Sequence, residues 1–125
     1  MGKIGGNRSA IIQIMGAAQN EIGEDTGNYI DALPPITGWL DLLEGDSQYA
    51  SYSAKIQEST HVFLCDYTEL RYRPGEGTDI ELTPENSRMV IDGRIYEVKL
   101  YDNPVEMNEH LEIFLKYVGG QADGG

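Results

Sequence analysis

The sequence predicts an all-β fold: a small β-barrel or sandwich of about six strands, with long flexible loops and room for one short helix. Three observations carry that expectation. "EHLEIFLKYV" (109–118) sets Leu111, Ile113, Leu115 and Tyr117 on one side and His110, Glu112 and Lys116 on the other, with Phe114 as the one apolar member there. The Leu111–Leu115 spacing also suits a helix, but strict period-two alternation with Ile, Phe, Tyr and Val favours a strand. "RMVI" (88–91) and "RIYEVKLY" (94–101) flank Asp92-Gly93, a pair suited to a two-residue turn whose central residues both take positive φ. Asn103-Pro104 then ends pairing, because proline has no N–H to give and restricts the residue before it.

The other elements follow in chain order. Residues 1–8 are basic, Gly-rich and expected to be flexible. "SAIIQIMG" (9–16), if extended, places Ala10, Ile12 and Ile14 on one face. "ALPPITGWLDLL" (32–43) has two prolines, then a strand or a short helix around Trp39. "EGDSQYASYSAKIQ" (44–57) is small and polar, with Tyr49 and Tyr52 spaced i,i+3, and reads as a helix or a long loop. "THVFLCDY" (60–67) alternates Val62 and Leu64 against His61, Phe63 and Cys65. "RPGEGTDIELTPENS" (73–87) reads as an excursion loop with room for a short strand at Ile80–Leu82. In the hairpin, Tyr96, Val98 and Leu100 fall on one face and Glu97 and Lys99 on the other. "GGQADGG" (119–125) is expected to be a flexible tail, which leaves 9–118 as a single barrel domain.

Composition bounds the function. A chain of 125 residues, 40% hydrophobic and 24% charged, suits one globular domain with a lean core. The net charge of -12 repels phosphate backbones and argues against a simple nucleic-acid binder. The acid is uneven: no Lys or Arg lies between Ser9 and Ala54, while Glu21, Glu24, Asp25, Asp31, Asp41, Glu44 and Asp46 do. A solvated face that keeps the protein soluble accounts for this as well as a functional surface does. Cys65 is the only cysteine, so no internal disulfide is possible, which fits a reducing compartment. "AIIQIMGAA" is too short and interrupted for a signal-peptide core, and no run approaches a membrane span, so a soluble protein with no membrane partner is expected.

No constellation for catalysis emerges. His61 and His110 each sit in a predicted strand, and no Cys/His cluster has zinc spacing. "GEDTGNYID" lacks the alternating ligand order of a calcium loop. Cys65-Asp66 could be nucleophilic only with a positioned base, and nothing nominates either histidine. "GEG" (75–77) has neither the following helix nor the Lys-Ser/Thr of a phosphate cradle. The residues read as an interaction module, with no catalytic residue, metal site or cofactor expected.

The segment from Glu58 to Gly120 resembles the C-terminal half of the head-completion proteins of long-tailed bacteriophages, also called head closure, head–tail joining or head–tail connector proteins. The resemblance rests on Thr60-His61 opening a strand, Arg88 before the "VIDG" hairpin, "IYEV" after it, "DNP" at the corner and "HLEIFLKYVGG" as the last strand. "AIIQIMG", "NEIGEDTGNY" and "ITGWLDLL" can be laid on the family's opening plan of strand, polar hairpin and aromatic strand. The excursion at 74–87 is longer than the family's usual link.

That resemblance implies a small β-barrel assembled as a ring of about twelve copies under the portal/adaptor complex of a virion, put together in the bacterial cytoplasm. Such a ring extends the DNA channel, closes the filled head and presents a surface to a tail-completion or tail protein. Packaged DNA passes through without sequence-specific binding. In relatives the segment between the second and third main strands is mobile and helps retain DNA; here it falls on 44–57, with Asp46, Gln48, Tyr49, Tyr52, Lys55 and Gln57 as candidate channel residues. An acidic stretch facing the lumen would let DNA slide past. Ring closure needs different patches of one subunit to meet, and Phe63, Tyr101 and Phe114, which alternation leaves off the core face, are the candidate interface. Two rivals stand beside this reading: a tail-completion protein capping the tail tube, and a small cytosolic β-barrel adaptor unrelated to virions.

Overall fold

The computed structural model describes residues 4–16, 28–43, 58–75 and 77–119. The described residues form β1 (Arg8–Met15), β2 (Tyr29–Asp31), β3 (Ile36–Leu42), β4 (His61–Asp66), β5 (Arg71–Gly75), β6 (Thr78–Glu81), β7 (Ser87–Ile91), β8 (Arg94–Asp102) and β9 (His110–Tyr117), with one short 3-10 turn at Pro104–Glu106. Strands β1, β3, β4, β9, β8 and β7 pair in that order, all antiparallel, and β7 pairs back onto β1 to close a six-stranded barrel. The all-β expectation therefore holds, and the barrel is the member of that class adopted.

β2 is the extra strand. It pairs with the end of β1 from Gln13 to Met15, while β3 pairs with the start of β1 from Arg8 to Ala10. β7 occupies the other edge of β1, so β2 and β3 act as one strand interrupted by Pro34-Pro35. Neither proline can donate to the ladder, so pairing lapses after the Ala32 N–H bonds the Ile12 carbonyl and resumes at Ile36. The region around Trp39 is thus a strand. β5 and β6 form a separate hairpin that starts at Arg71, just before the expected excursion at 73–87; β6 takes in Ile80 and Glu81 of the short strand expected at Ile80–Leu82, and Leu82 turns into the core.

Closure puts one face of every barrel strand inside. Ala10, Ile12 and Ile14 of β1 meet Phe63 and Cys65 of β4, Met89 and Ile91 of β7, Tyr96 and Val98 of β8, and Leu111, Ile113 and Leu115 of β9. The interior is filled by these side chains, as in other small barrels. Phe63 needs room that Gly38 supplies: a Cβ at Gly38 would lie 2.6 and 2.7 Å from two carbons of the Phe63 ring and would also strike the Leu64 carbonyl oxygen. The tip of the β7–β8 hairpin is the Asp92-Gly93 turn with φ of 53° and 75°, as the sequence predicts.

Two phase expectations are corrected here, and with them the candidate subunit interface. In β4 both faces are apolar, so alternation alone could not choose the inner one; Phe63 points inward and is 0% exposed. In β8 the register against β9 shifts between Val98 and Leu100, and this bulge reverses which residues face in. Tyr96 and Val98 stay inside, Leu100 turns outside, and Tyr101 returns to the core, its hydroxyl 2.7 Å from Ser87 Oγ. Phe114 does lie on the outer face, but it packs with Val62 against Leu43, Leu64 and Leu100 and is only 1% exposed. Neither phenylalanine offers surface to a neighbouring subunit.

The expected flexible N-terminus is also tied down where it is described. The Ile4 N–H donates to Asp66 Oδ1 at 2.7 Å, the Trp39 indole donates to the Ile4 carbonyl at 3.1 Å, and the Asn7 N–H donates to the Gly38 carbonyl at 3.0 Å. Gly6 crosses so close to Gly38 that a side chain there would clash with its backbone.

Candidate interaction surface

The residues most able to carry chemistry are set apart from one another. Cys65 is fully buried, and burial together with the neighbouring Asp66 charge pushes its thiol up to about 12, which removes it as a nucleophile near neutrality. His61 sits at one mouth of the barrel, edge-on to Tyr96 with ring centroids 5.3 Å apart, and its Nδ1 lies 2.8 Å from Thr60 Oγ1. Burial holds its pKa below the usual histidine value. His110 belongs to the outer face of β9, its Nε2 3.2 Å from Glu112 Oε2. Among the described residues no group of three or more His, Cys, Asp or Glu side chains is placed to hold a metal ion.

A groove on the outer face of β1, β7 and β8 is more specific. Met89 and Ile91 of β7 point inward, so Arg88 points out, level with Gln13 of β1 and Glu97 of β8; Gln13 is in turn level with Asp31 of β2. This row is wired in sequence. Gln13 Nε2 donates to Asp31 Oδ1 at 3.0 Å, which fixes the amide so that Gln13 Oε1 accepts from Arg88 Nε at 2.9 Å. The guanidinium carbon lies 4.0 Å from the centre of the Tyr29 ring, close enough for cation–π attraction. Glu97, which could have quenched it, is drawn instead to Lys99 Nζ at 2.9 Å. Arg88 lines a groove of about 330 Å³ together with Tyr29, Pro84, Glu85, Ser87, Ile95, Glu97 and Val118. With two carboxylates and one guanidinium in its lining, the groove carries no net positive charge to attract an anion.

The corner between β8 and β9 is the second feature. Val105, Glu106 and Asn108 all have positive φ, at 48°, 54° and 57°. A β-branched residue rarely adopts that conformation, and holding it there costs on the order of 1–3 kcal/mol. The Asn103 and Asn108 side chains clamp the base: Asn103 Nδ2 donates to Asn108 Oδ1 at 2.7 Å, and the Asn108 N–H donates to Asn103 Oδ1 at 3.1 Å. The result is a pinned loop that holds Val105 85% and Met107 59% exposed.

The sequence marked the Asn-Pro corner and the Arg88 position without assigning either a role. Left-handed backbone at Val105 has no residue-type signal, and the Arg88 relay depends on register across three strands. Asp46, Gln48, Tyr49, Tyr52, Lys55 and Gln57, the candidate channel residues, lie outside the described residues, as do most of the acidic residues between 21 and 46; Asp31 and Asp41 are described, and both are exposed. No protein-family model matches the chain, and no curated protein matches it at a significant level.

Proposed function

We propose that the chain is a structural protein of the head–tail neck of a long-tailed bacteriophage, a non-enzymatic ring subunit that docks under the portal/adaptor complex, closes the filled head and presents a surface to the tail. One observation carries the reading. The segment that resembles head-completion proteins supplies β4, β9, β8 and β7, which are four consecutive neighbours in the barrel. Within it, Thr60-His61 opens β4, Arg88 lies in β7 before the hairpin, Asn103-Pro104 stands at the pinned corner and "HLEIFLKY" forms β9. The residues that carry the resemblance therefore come together in one continuous part of the barrel. The packed barrel interior fits a ring in which any channel runs between subunits and not through one.

The test is particle assembly without the protein. Deleting its gene from the phage or inducible prophage that encodes it should leave intact free tails and heads that lose their DNA, with the protein present in the neck of wild-type particles by cryo-electron microscopy. Stable, full heads in the mutant, or a wild-type neck without this chain, would overturn the reading.

A further inference from the structure

We propose that Thr60 and His61 form a proton-sensitive clasp at one mouth of the barrel: while His61 is neutral the clasp holds the end of β9 to the start of β4, and protonation of His61 loosens it.

Thr60 is the joint of three strand ends. Its N–H donates to the Leu115 carbonyl of β9 at 2.8 Å, and its carbonyl accepts the N–H of Leu43, just past β3, at 2.8 Å. The side chain completes the joint. Thr60 Oγ1 accepts the Tyr117 N–H at 2.8 Å and lies 2.8 Å from His61 Nδ1. The Tyr117 amide thus rests on a hydroxyl and not on a strand carbonyl.

A hydroxyl has one hydrogen to place. The alternative acceptor, the Leu115 carbonyl, is 3.5 Å away and already takes the Thr60 N–H. The shorter contact assigns the hydrogen to His61 Nδ1, with the ring proton on Nε2. Protonation turns both ring nitrogens into donors. Thr60 Oγ1 then faces two donors, the His61 Nδ1–H and the Tyr117 N–H, and its own hydrogen is turned toward the distant Leu115 carbonyl.

The charged ring also meets no answering charge. Beside His61 on the same face stand Leu42 of β3, Tyr96 of β8, and Leu115 and Tyr117 of β9. Asp41 and Lys116, next in line on β3 and β9, alternate to the outer face. Arg94, Asp92 and Arg8 are the charged groups felt at Tyr96, and two of the three are cations. Burial acts in the same direction and lowers the His61 pKa from 6.5. Opening the clasp returns the ring to water, so the open form binds a proton more readily than the closed one. Opening is therefore favoured as pH falls through 6.5 toward the closed value.

The test is hydrogen exchange of the full chain, followed amide by amide by NMR at about pH 8 and about pH 5 and corrected for intrinsic rates. At the higher pH the Tyr117 amide should be protected, yet at least about tenfold less than the core amide of Ile113, the mark of local opening. At the lower pH its protection should fall by at least about threefold. His61→Gln should remove that fall, although His110 is still present at the far end of β9. Thr60→Ser, which keeps the hydroxyl, should keep the response. Thr60→Val should leave Tyr117 weakly protected at both pH values. Equal protection of Tyr117 at both pH values, a response that survives in H61Q, or exchange at Tyr117 as slow as at Ile113 would each sink the clasp. If T60V does not fold, wild type, T60S and H61Q still decide.

Discussion

Truncating Phe63 to alanine separates a barrel core residue from a subunit-interface residue. Phe63 is 0% exposed and lies between Leu40 and Ile113 in register on the neighbouring strands. Loss of the ring forfeits a transfer free energy of about 2 kcal/mol. A cavity of up to about 100 Å³ adds roughly 2 kcal/mol more if the walls stay in place. They have little scope to move, because Gly38 has no side chain to swing into the gap and both backbones are held in the β3–β4 ladder. The sum, about 4 kcal/mol, is a large part of the roughly 5–15 kcal/mol expected for a domain. Urea unfolding of the isolated subunit, followed by tyrosine and tryptophan fluorescence, should show the midpoint fall by about 2 M at an unchanged slope of about 2 kcal/mol/M. A residue reserved for contact with a neighbour would leave the monomer within about 0.5 kcal/mol of wild type. A midpoint shift under about 0.3 M would refute the inward assignment of Phe63 and the phase of β4 with it.

Four further outcomes follow from the same structure. Gly38→Ala should destabilise by about 2 kcal/mol or more by the same denaturation assay, since its Cβ meets both the Phe63 ring and the rigid Leu64 carbonyl. Cys65 should resist a thiol reagent at pH 8 until the protein unfolds, because burial pushes its thiol up to about 12; rapid stoichiometric labelling of native protein would contradict this. His61, whose pKa burial lowers from 6.5, binds a proton more readily in the unfolded chain, so stability should fall as pH drops through 6.5 toward the folded value, and His61→Gln should flatten that part of a melting-temperature profile. Val105→Gly should leave stability unchanged or raise it by up to about 1 kcal/mol, because relief of the left-handed strain outweighs the added freedom of the unfolded chain; a clear loss would show that Val105 is not strained.

Much of the barrel was legible because its signals were local. Alternation in 9–16 and 109–118 correctly grouped Ala10, Ile12 and Ile14, and Leu111, Ile113 and Leu115, and the Asp92-Gly93 turn and the Asn103-Pro104 stop fell where predicted. What misled was anything that depends on a partner strand. In β4 every candidate face was apolar, and only closure of the barrel chose Phe63 and Cys65 over Val62 and Leu64. In β8 one bulge exchanged Leu100 for Tyr101, a change set by register with β9 and invisible in the alternation itself. In the candidate interface, Phe63 and Tyr101 inherited these errors, whereas Phe114 lies on the outer face as expected and is covered there by Val62, Leu43, Leu64 and Leu100. The Arg88 groove was illegible for a related reason: Asp31, Gln13, Arg88 and Tyr29 come from three strands far apart in sequence and meet only through pairing.

Closure also bears on how such a chain can assemble. Each of the six barrel strands has strands on both sides, so the barrel body has no edge to offer for strand addition. Contacts between copies through the barrel body would then be made by side chains, and the charge sets a condition on them. A chain of net charge -12 repels its own copies, strongly at low ionic strength, where the field reaches about 30 Å, and much less near 0.15 M, where it reaches about 8 Å. Apolar contact alone would have to overcome that repulsion with a lean surface of scattered hydrophobic side chains. A basic side chain held rigid at a contact would offset part of that repulsion. Arg88 is ordered in this way, its Nε–H held by Gln13 and one face of its guanidinium on Tyr29, with Glu85 and Glu97 lining the same groove. A free guanidinium would lose side-chain entropy on meeting a carboxylate; one already fixed by the Asp31–Gln13 relay has lost it on folding. Under the proposed assembly, the row of polar residues across β2, β1 and β7 would supply a cation already ordered before contact.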